Sequence, residues 1–230
     1  MTTTPLPAAD GSAAAVALVP LRTGGKSRLE EALSEGDRTA LVLAMLDDVL
    51  AAIHAAGIAD VRVLAGDREA AEAAEARGLR VHSDPVREYD ERPGGSADRS
   101  LRAAVDAALA ATGDCSMRLV VAADLPRLRA EEVQAVCMDP AQVVVAPTVG
   151  GGTGLLRLAP GVTLPTRYGT DSARAHLVEA DRHRWSSTLV HLPGARHDVD
   201  AAVDLAALRE PLEGTLPGAG TTAFLAVLHG

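Results

Sequence analysis

The apolar positions of this chain come in short blocks that alternate between two periods. Val16 to Leu21 is apolar almost without interruption, the pattern of a strand buried on both faces. The next block, RTALVLAMLDDVLAAIHAAG (38–57), spaces its apolar residues as a helix does, with Asp37 at the expected N-cap and Gly57 as the stop. DVRVLAG (60–66) then predicts a strand, REAAEAAEARG (68–78) a helix closed by Gly78, and LRVHSD (79–84) a short strand. A loop holding Pro93, Gly94 and Gly95 leads to a helix over about Asp98 to Ala111. RLVVAADLP (118–126), RAEEVQAVCM (129–138) and AQVVVAP (141–147) continue as strand, helix and strand.

This alternation predicts an α/β fold: three layers, a mostly parallel sheet with helices on both faces. Sites in such sheets gather beyond the C-terminal ends of the strands, where the strand order reverses. The loop after the first strand and Asp124 after the fourth are therefore candidates by position. Beyond Pro147 the pattern loosens. TVGGGTGLLRLAPG (148–161) is glycine-rich around a short apolar strand, RYGTDSARAHLVEA (167–180) reads as a loop entering a helix, and STLVHLPGARHDVD (187–200) as a strand followed by paired acids. AAVDLAAL (201–208) is a helix. The organisation expected is a disordered leader over 1–12, one domain over 13–208, and a tail over 209–230 that the pattern does not place.

A chain of 230 residues is long enough to bury a sizeable core as one domain. With 47% hydrophobic but 2% aromatic residues, that core must be built of Ala, Val and Leu. A net charge of -9 argues against general binding to nucleic acid or anionic membrane, so any phosphate chemistry must use locally placed cations or metal ions. Cys115 and Cys137 fit no metal or redox spacing and read as reduced, structural cysteines of a cytosolic protein. No run of about 20 apolar residues would span a bilayer, and the N-terminal stretch lacks the basic residues of a signal peptide.

Four constellations carry candidate chemistry. Gly25-Lys26-Ser27 after the first strand is one residue short of a P-loop, because Pro20 stands where that motif has its first glycine. Proline has a fixed φ and no N–H, so it cannot copy that glycine. Lys26 and Arg28 could still hold a triphosphate, or equally form a solvated basic turn that pairs with Glu30 or Glu31. Asp124, Asp198 and Asp200 offer hard oxygen ligands for Mg²⁺, the last two on one side of an extended segment. Taken singly, Asp124 also fits a turn and Asp200 a helix N-cap. Gly150-Gly151-Gly152-Thr153-Gly154 would let a backbone approach a ligand and offers a hydroxyl; a surface hairpin has the same composition. Finally, Gly169-Thr170-Asp171-Ser172 opens a helix whose free N–H groups favour an anion, with Ser172 and His176 on one face. Thr170 or Asp171 could equally serve as a simple cap, with His176 at the surface.

KSRL, AADLP, GGGTGLL, YGTDSARAH and HDVDAAVDL occur in this order. Together they make the chain, from about Val16 to Leu208, resemble the guanylyltransferases of coenzyme F-420 biosynthesis. Those enzymes have a nucleotide-diphospho-sugar transferase-like fold related to the molybdopterin guanylyltransferases. The resemblance implies transfer of GMP from GTP to a small phosphorylated acid, with phosphoenolpyruvate favoured over 2-phospho-L-lactate, and release of pyrophosphate. It implies Mg²⁺ on Asp124, Asp198 and Asp200, the acceptor on Thr153, Gly169 and Ser172, and the GTP phosphates facing Lys26 and Arg28. The expected partners are GTP and the acceptor, together with a second copy of the chain or a downstream deazaflavin-transfer enzyme. A molybdopterin- or sugar-phosphate nucleotidyltransferase and a non-catalytic nucleotide-binding paralogue are the rival readings. The chain departs from the family's pattern at Arg22, usually Lys, at Gly154, usually Asn, and at Ala97-Asp98, usually Leu-Asn.

Overall fold

The structure, a computed structural model, describes residues 15–24, 26–82, 97–113 and 116–228, the side chains of 97–100 excepted. The expected leader, Gly25, Pro93 to Gly95, Cys115 and the side chain of Asp98 lie outside the described residues.

Among the described residues, seven strands form one sheet: β1 (Ala15–Leu21), β2 (Asp60–Ala65), β3 (Arg80–His82), β4 (Met117–Val121), β5 (Val143–Pro147), β6 (Thr153–Leu158) and β7 (Ser187–Leu189). Their order is β3-β2-β1-β4-β6-β5-β7. β3, β2, β1 and β4 run parallel, β5 pairs parallel with β7, and β6 lies antiparallel between β4 and β5. The order turns back on itself at β1, whose neighbours are β2 and β4, so the C-terminal ends of β1 and β4 flank a topological switch point.

Alternate residues of β1 show how the layers close. Ala17, Val19 and Leu21 face a core shared with α1 (Glu35–Ala55), α2 (Arg68–Ala76), α4 (Ala130–Met138), α6 (Ala202–Ala207) and α7 (Ala219–Val227). Val16 and Leu18 face the opposite core, built with α3 (Ala97–Ala111) and α5 (Ser172–Arg182). Both cores are mostly Val, Leu and Ala, as the low aromatic content requires. The three-layer α/β fold is the one the pattern predicted.

The start of α1 differs from expectation. Ser34 is its N-cap, with its hydroxyl accepting from the Asp37 N–H at 3.2 Å and donating to the Asp37 carboxylate at 2.6 Å. Asp37 thus sits in the first turn, where a carboxylate complements the helix dipole. Gly57 ends the helix with φ +94°, the conformation only glycine adopts without strain.

The structure also places the tail. α7 packs on α1, and Asp48 of α1 accepts from the N–H groups of Gly220 at 2.7 Å and Thr221 at 2.9 Å, capping α7 from another helix. Arg127, almost wholly buried, donates to the carbonyls of Ala207, Glu210 and Thr215, so one guanidinium ties α6 to the segment that follows it.

Candidate active site

The loop after β1 is held from behind. The Asp67 carboxylate accepts from the Thr23 N–H at 2.8 Å, the Thr23 hydroxyl at 2.8 Å and the Gly24 N–H at 3.3 Å, and also caps α2 through Ala70 N–H at 2.8 Å. Burial would raise the Asp67 pKa, but these donors outweigh it and hold the pKa below the usual carboxylate value. Two backbone donors that a phosphate cradle would use are therefore already spent on an internal carboxylate. Pro20 lies within β1, paired with Leu64. The loop is not a P-loop.

Anchored in this way, the loop turns at Lys26, which adopts a left-handed backbone (φ +63°) rare for a side-chain-bearing residue. The turn aims Lys26 inward. Its ammonium donates to Asp124 Oδ2 at 2.5 Å and to Asp200 Oδ1 at 2.6 Å. Burial alone would lower the Lys26 pKa; the charges and hydrogen bonds of the two aspartates overcome this and raise it well above the ordinary lysine value. Arg28 is exposed at the rim and lines a shallow hollow of about 200 Å³ with Lys26, Ser27 and Asp200.

Asp124 follows β4 directly, as its place in the sequence indicated. Asp200 arrives from a loop pinned at Gly194, whose N–H donates to Glu132 Oε1 at 2.7 Å. Asp200 does not cap α6. That task falls to Asp204, whose carboxylate accepts from Ala201 N–H at 2.8 Å and Asp200 N–H at 3.0 Å. The Asp200 side chain is thereby left for Lys26. Asp198 is half-buried nearby, and burial together with the charges of Asp124 and Asp200 pushes its carboxyl up to about 6. Among the described residues no three His, Cys, Asp or Glu side chains are arranged to hold a metal ion, since Lys26 sits between Asp124 and Asp200.

Lys26, Asp124 and Asp200 share a cavity of about 320 Å³ with Arg22, Leu101, Thr153 and Tyr168. Thr153 reaches it because β6 runs antiparallel, which puts the first residue of β6 at the end of the sheet where β4 and β5 finish. Thr153 Oγ1 lies 2.9 Å from Ser172 Oγ and 3.1 Å from His176 Nδ1. Ser172 begins α5, one residue later than Asp171, which takes a left-handed N-cap conformation (φ +55°) without a side-chain cap bond. Gly169 has φ +125°, a backbone reserved for glycine. The glycine loop and the helix start are knitted together where Ala173 N–H donates to the Gly151 carbonyl at 3.2 Å.

The sequence candidates thus form two groups at one cavity: Lys26, Asp124 and Asp200 with Asp198 beside them, and Thr153 with Ser172 and His176. His176 is not at the surface but fully buried. Sequence reasoning did not single out Asp67, Glu132 or Gly194, which position the first group. Asp67 carried a signal, an acid between a strand and a helix, but one that reads as an ordinary N-cap. At Gly154 a Cβ would stand 2.8 Å from the Ala195 carbonyl, so this backbone has no room for the usual Asn. Cys137 is a free thiol whose pKa burial raises to about 11, in keeping with a structural cysteine.

Lys26 of the loop after β1, Asp124 at the end of β4 and Asp200 of the loop before α6 meet at the switch point of the sheet, and the fold and its relatives define the class, a nucleotidyltransferase. The fold is shared with a protein of Desulfovibrio desulfuricans G20 provisionally named a nucleotide-diphospho-sugar transferase (TM-score 0.72, 17% identity, 94% of this chain and 96% of that one). It is shared also with a nucleotidyl transferase from Methanothermobacter (TM-score 0.58, 18% identity, 93% of this chain and 99% of that one). The chain belongs to the family described as guanylyl transferase CofC like, whose model matches residues 15–210. Phosphoenolpyruvate guanylyltransferase of Roseiflexus castenholzii is 34% identical over 192 residues, covering 82% of this chain and 85% of that protein. The enzyme of that name from Mycolicibacterium gilvum is 36% identical over 212 residues, covering 88% and 92%.

Proposed function

We propose that this chain transfers GMP from GTP to phosphoenolpyruvate and releases pyrophosphate, as a step of coenzyme F-420 biosynthesis. The observation that carries the reading is the shared cavity, with a largely buried ammonium between the Asp124 and Asp200 carboxylates on one side and the Thr153 hydroxyl, bonded to Ser172, on the other. The first side suits the triphosphate and the second the acceptor acid. Relatives that bear the name phosphoenolpyruvate guanylyltransferase, similar over most of both chains, support this choice of substrates.

The chemistry asks little of the protein beyond placement and charge. A phosphate oxygen of the acceptor is already ionised at neutral pH, so no general base is needed. It attacks the α-phosphorus of GTP, the new P–O bond forms, and the bond to the pyrophosphate oxygen breaks with its electron pair. Lys26 and Arg28 stabilise the charge that grows on the departing pyrophosphate. Thr153, Gly169 and Ser172 form the acceptor end, where Gly169 opens the backbone and α5 presents its N-terminus.

The donor types suit Mg²⁺, although in this arrangement Lys26 occupies the space between Asp124 and Asp200. Three carboxylates stand near one largely buried ammonium at the place where a triphosphate must enter, and burial first, then the charges of Asp124 and Asp200, raise the Asp198 carboxyl. Asp124, Asp198 and Asp200 would hold the ion, and Lys26 would be released from them toward the phosphates. When bound, such an ion supplies charge neutralisation and polarisation at the α-phosphate. Pyrophosphate release measured over a matrix of nucleotides and acceptors tests the reading. Release with GTP that depends on phosphoenolpyruvate supports it; release with another pairing, or GTP binding without turnover, overturns it.

A further inference from the structure

His176 is the second member of a hydrogen-bonded chain that starts at a backbone amide. Arg167 N–H donates to His176 Nε2 at 2.8 Å. An amide N–H can only donate, so Nε2 must accept and carries no proton. The neutral ring then has its proton on Nδ1, which faces Thr153 Oγ1 at 3.1 Å. The contact therefore has a direction: His176 donates and Thr153 accepts.

The second contact has a direction too. Ser172 is 1% exposed, and among the described residues its hydroxyl has no partner besides Thr153 Oγ1 at 2.9 Å. A buried hydroxyl proton goes to the acceptor within reach. Thr153 Oγ1 has two lone pairs and one proton. His176 and Ser172 fill the lone pairs, and the proton is left over. Thr153 lines the cavity that holds Lys26, Asp124 and Asp200. Were the imidazole the other tautomer, Thr153 would have to donate to it, and no proton would remain for a ligand.

We propose that His176 is a positioning residue that commits the Thr153 hydroxyl to donate into the cavity, making this end of the site selective for an anionic oxygen of the acceptor acid. The inference deepens the guanylyltransferase reading and rests on it for the identity of the ligand. The ring is held for the task. Tyr168 meets it edge-on with centroids 5.0 Å apart and planes at 74°. The Arg167 side chain, whose own backbone supplies the N–H, is fixed to Glu179 on α5 at 2.8 Å.

Two measurements test this. The first is the ¹⁵N spectrum of the imidazole in the intact, ligand-free protein at neutral pH, which distinguishes the tautomers and needs no turnover. A protonated Nδ1 with a bare Nε2 is expected; the opposite tautomer or an imidazolium overturns the proposal. The second is kinetic, with GTP and phosphoenolpyruvate. His176→Ala should raise the acceptor KM about tenfold, the size of one hydrogen bond to a charged group, and leave GTP affinity without acceptor within about twofold. His176→Asn, whose amide can still donate toward Thr153, should recover most of the loss. An unchanged acceptor KM in His176→Ala, or equal defects in both variants, overturns the proposal. If the native chain transfers GMP to no acceptor, the guanylyltransferase reading fails, while the ¹⁵N result still stands or falls by itself.

Discussion

Lys26 Nζ donates to Asp124 Oδ2 at 2.5 Å, across a pocket that joins the loop after β1 to the end of β4. The same ammonium binds Asp200, so one side chain ties three separate segments at the switch point of the sheet. Lys26→Ala should lower turnover by about 10²–10³-fold, the range found when one preorganised electrostatic group is removed, and should raise the KM for GTP. The carboxylates of Asp124, Asp198 and Asp200 would then repel without a counter-charge. The variant should therefore melt lower than the native protein without metal, and Mg²⁺ should raise its Tm more. Pyrophosphate-release kinetics and melting curves with and without Mg²⁺ check both halves.

Metal removal gives a separate test. Chelation should abolish turnover, and added Mg²⁺ should restore it. Asp124→Asn, Asp198→Asn and Asp200→Asn should each raise the Mg²⁺ concentration needed for half-maximal activity, because each removes a hard anionic ligand. Asp200 is half exposed and does not cap α6, so Asp200→Asn should change the Tm little. Near-normal activity of all three variants at limiting Mg²⁺ would remove these aspartates from the metal site.

The layers and most elements were legible in the sequence because burial writes itself as periodicity. Alternate residues of β1 feed two cores, and the apolar run of Val16 to Leu21 reads directly as a strand covered on both faces. Asp124 was legible for a related reason, since a strand end in an α/β sheet is a known place for function. What the sequence hid were relations between distant residues. Nothing local says that Asp67 holds Thr23, that Glu132 holds Gly194, or that Asp48 caps α7. The antiparallel course of β6 was hidden as well, and it is what carries Thr153 to the cavity. The N-cap of α1 was misplaced by three residues because Ser34 and Asp37 both suit a cap, and only the backbone shows that Ser34 takes it.

His176 carries a pH signature. Burial, and next the nearby Arg167 charge, lower its pKa to about 4, against a smaller opposing effect of Glu179; Tyr168 also packs against the ring. Its folded pKa lies below the unfolded value near 6.5. The stability it contributes is therefore fully present above about pH 6.5 and is lost as pH falls toward 4. In an NMR titration the His176 ring signals should stay at their neutral positions through pH 6 and move only near pH 4 or with unfolding. Titration near 6.5 in the folded protein would contradict the buried, bonded ring.

Gly194 is where packing and chemistry meet. A Cβ there would lie 2.2 Å from the Arg127 carbonyl oxygen and 2.2 Å from Glu132 Oε2. Neither atom can retreat easily. The Arg127 backbone sits above a guanidinium bound to three carbonyls, and Glu132 is fixed by the Arg129 N–H at 3.0 Å and by Gly194 itself. Gly194→Ala must therefore push the loop away from α4. Overpacking of this kind costs about 1–3 kcal/mol, and the same displacement moves Asp200 off Lys26 and carries Asp198 with it. The variant should lose both Tm and turnover, although residue 194 touches no substrate. Gly36→Ala is the control. Gly36 lies in the exposed first turn of α1 with nothing within 4 Å of an added Cβ, so alanine there should raise stability by about 0.4–1 kcal/mol and leave turnover unchanged. Native-like melting and kinetics for Gly194→Ala would show that the loop carrying the two aspartates is not held by this contact.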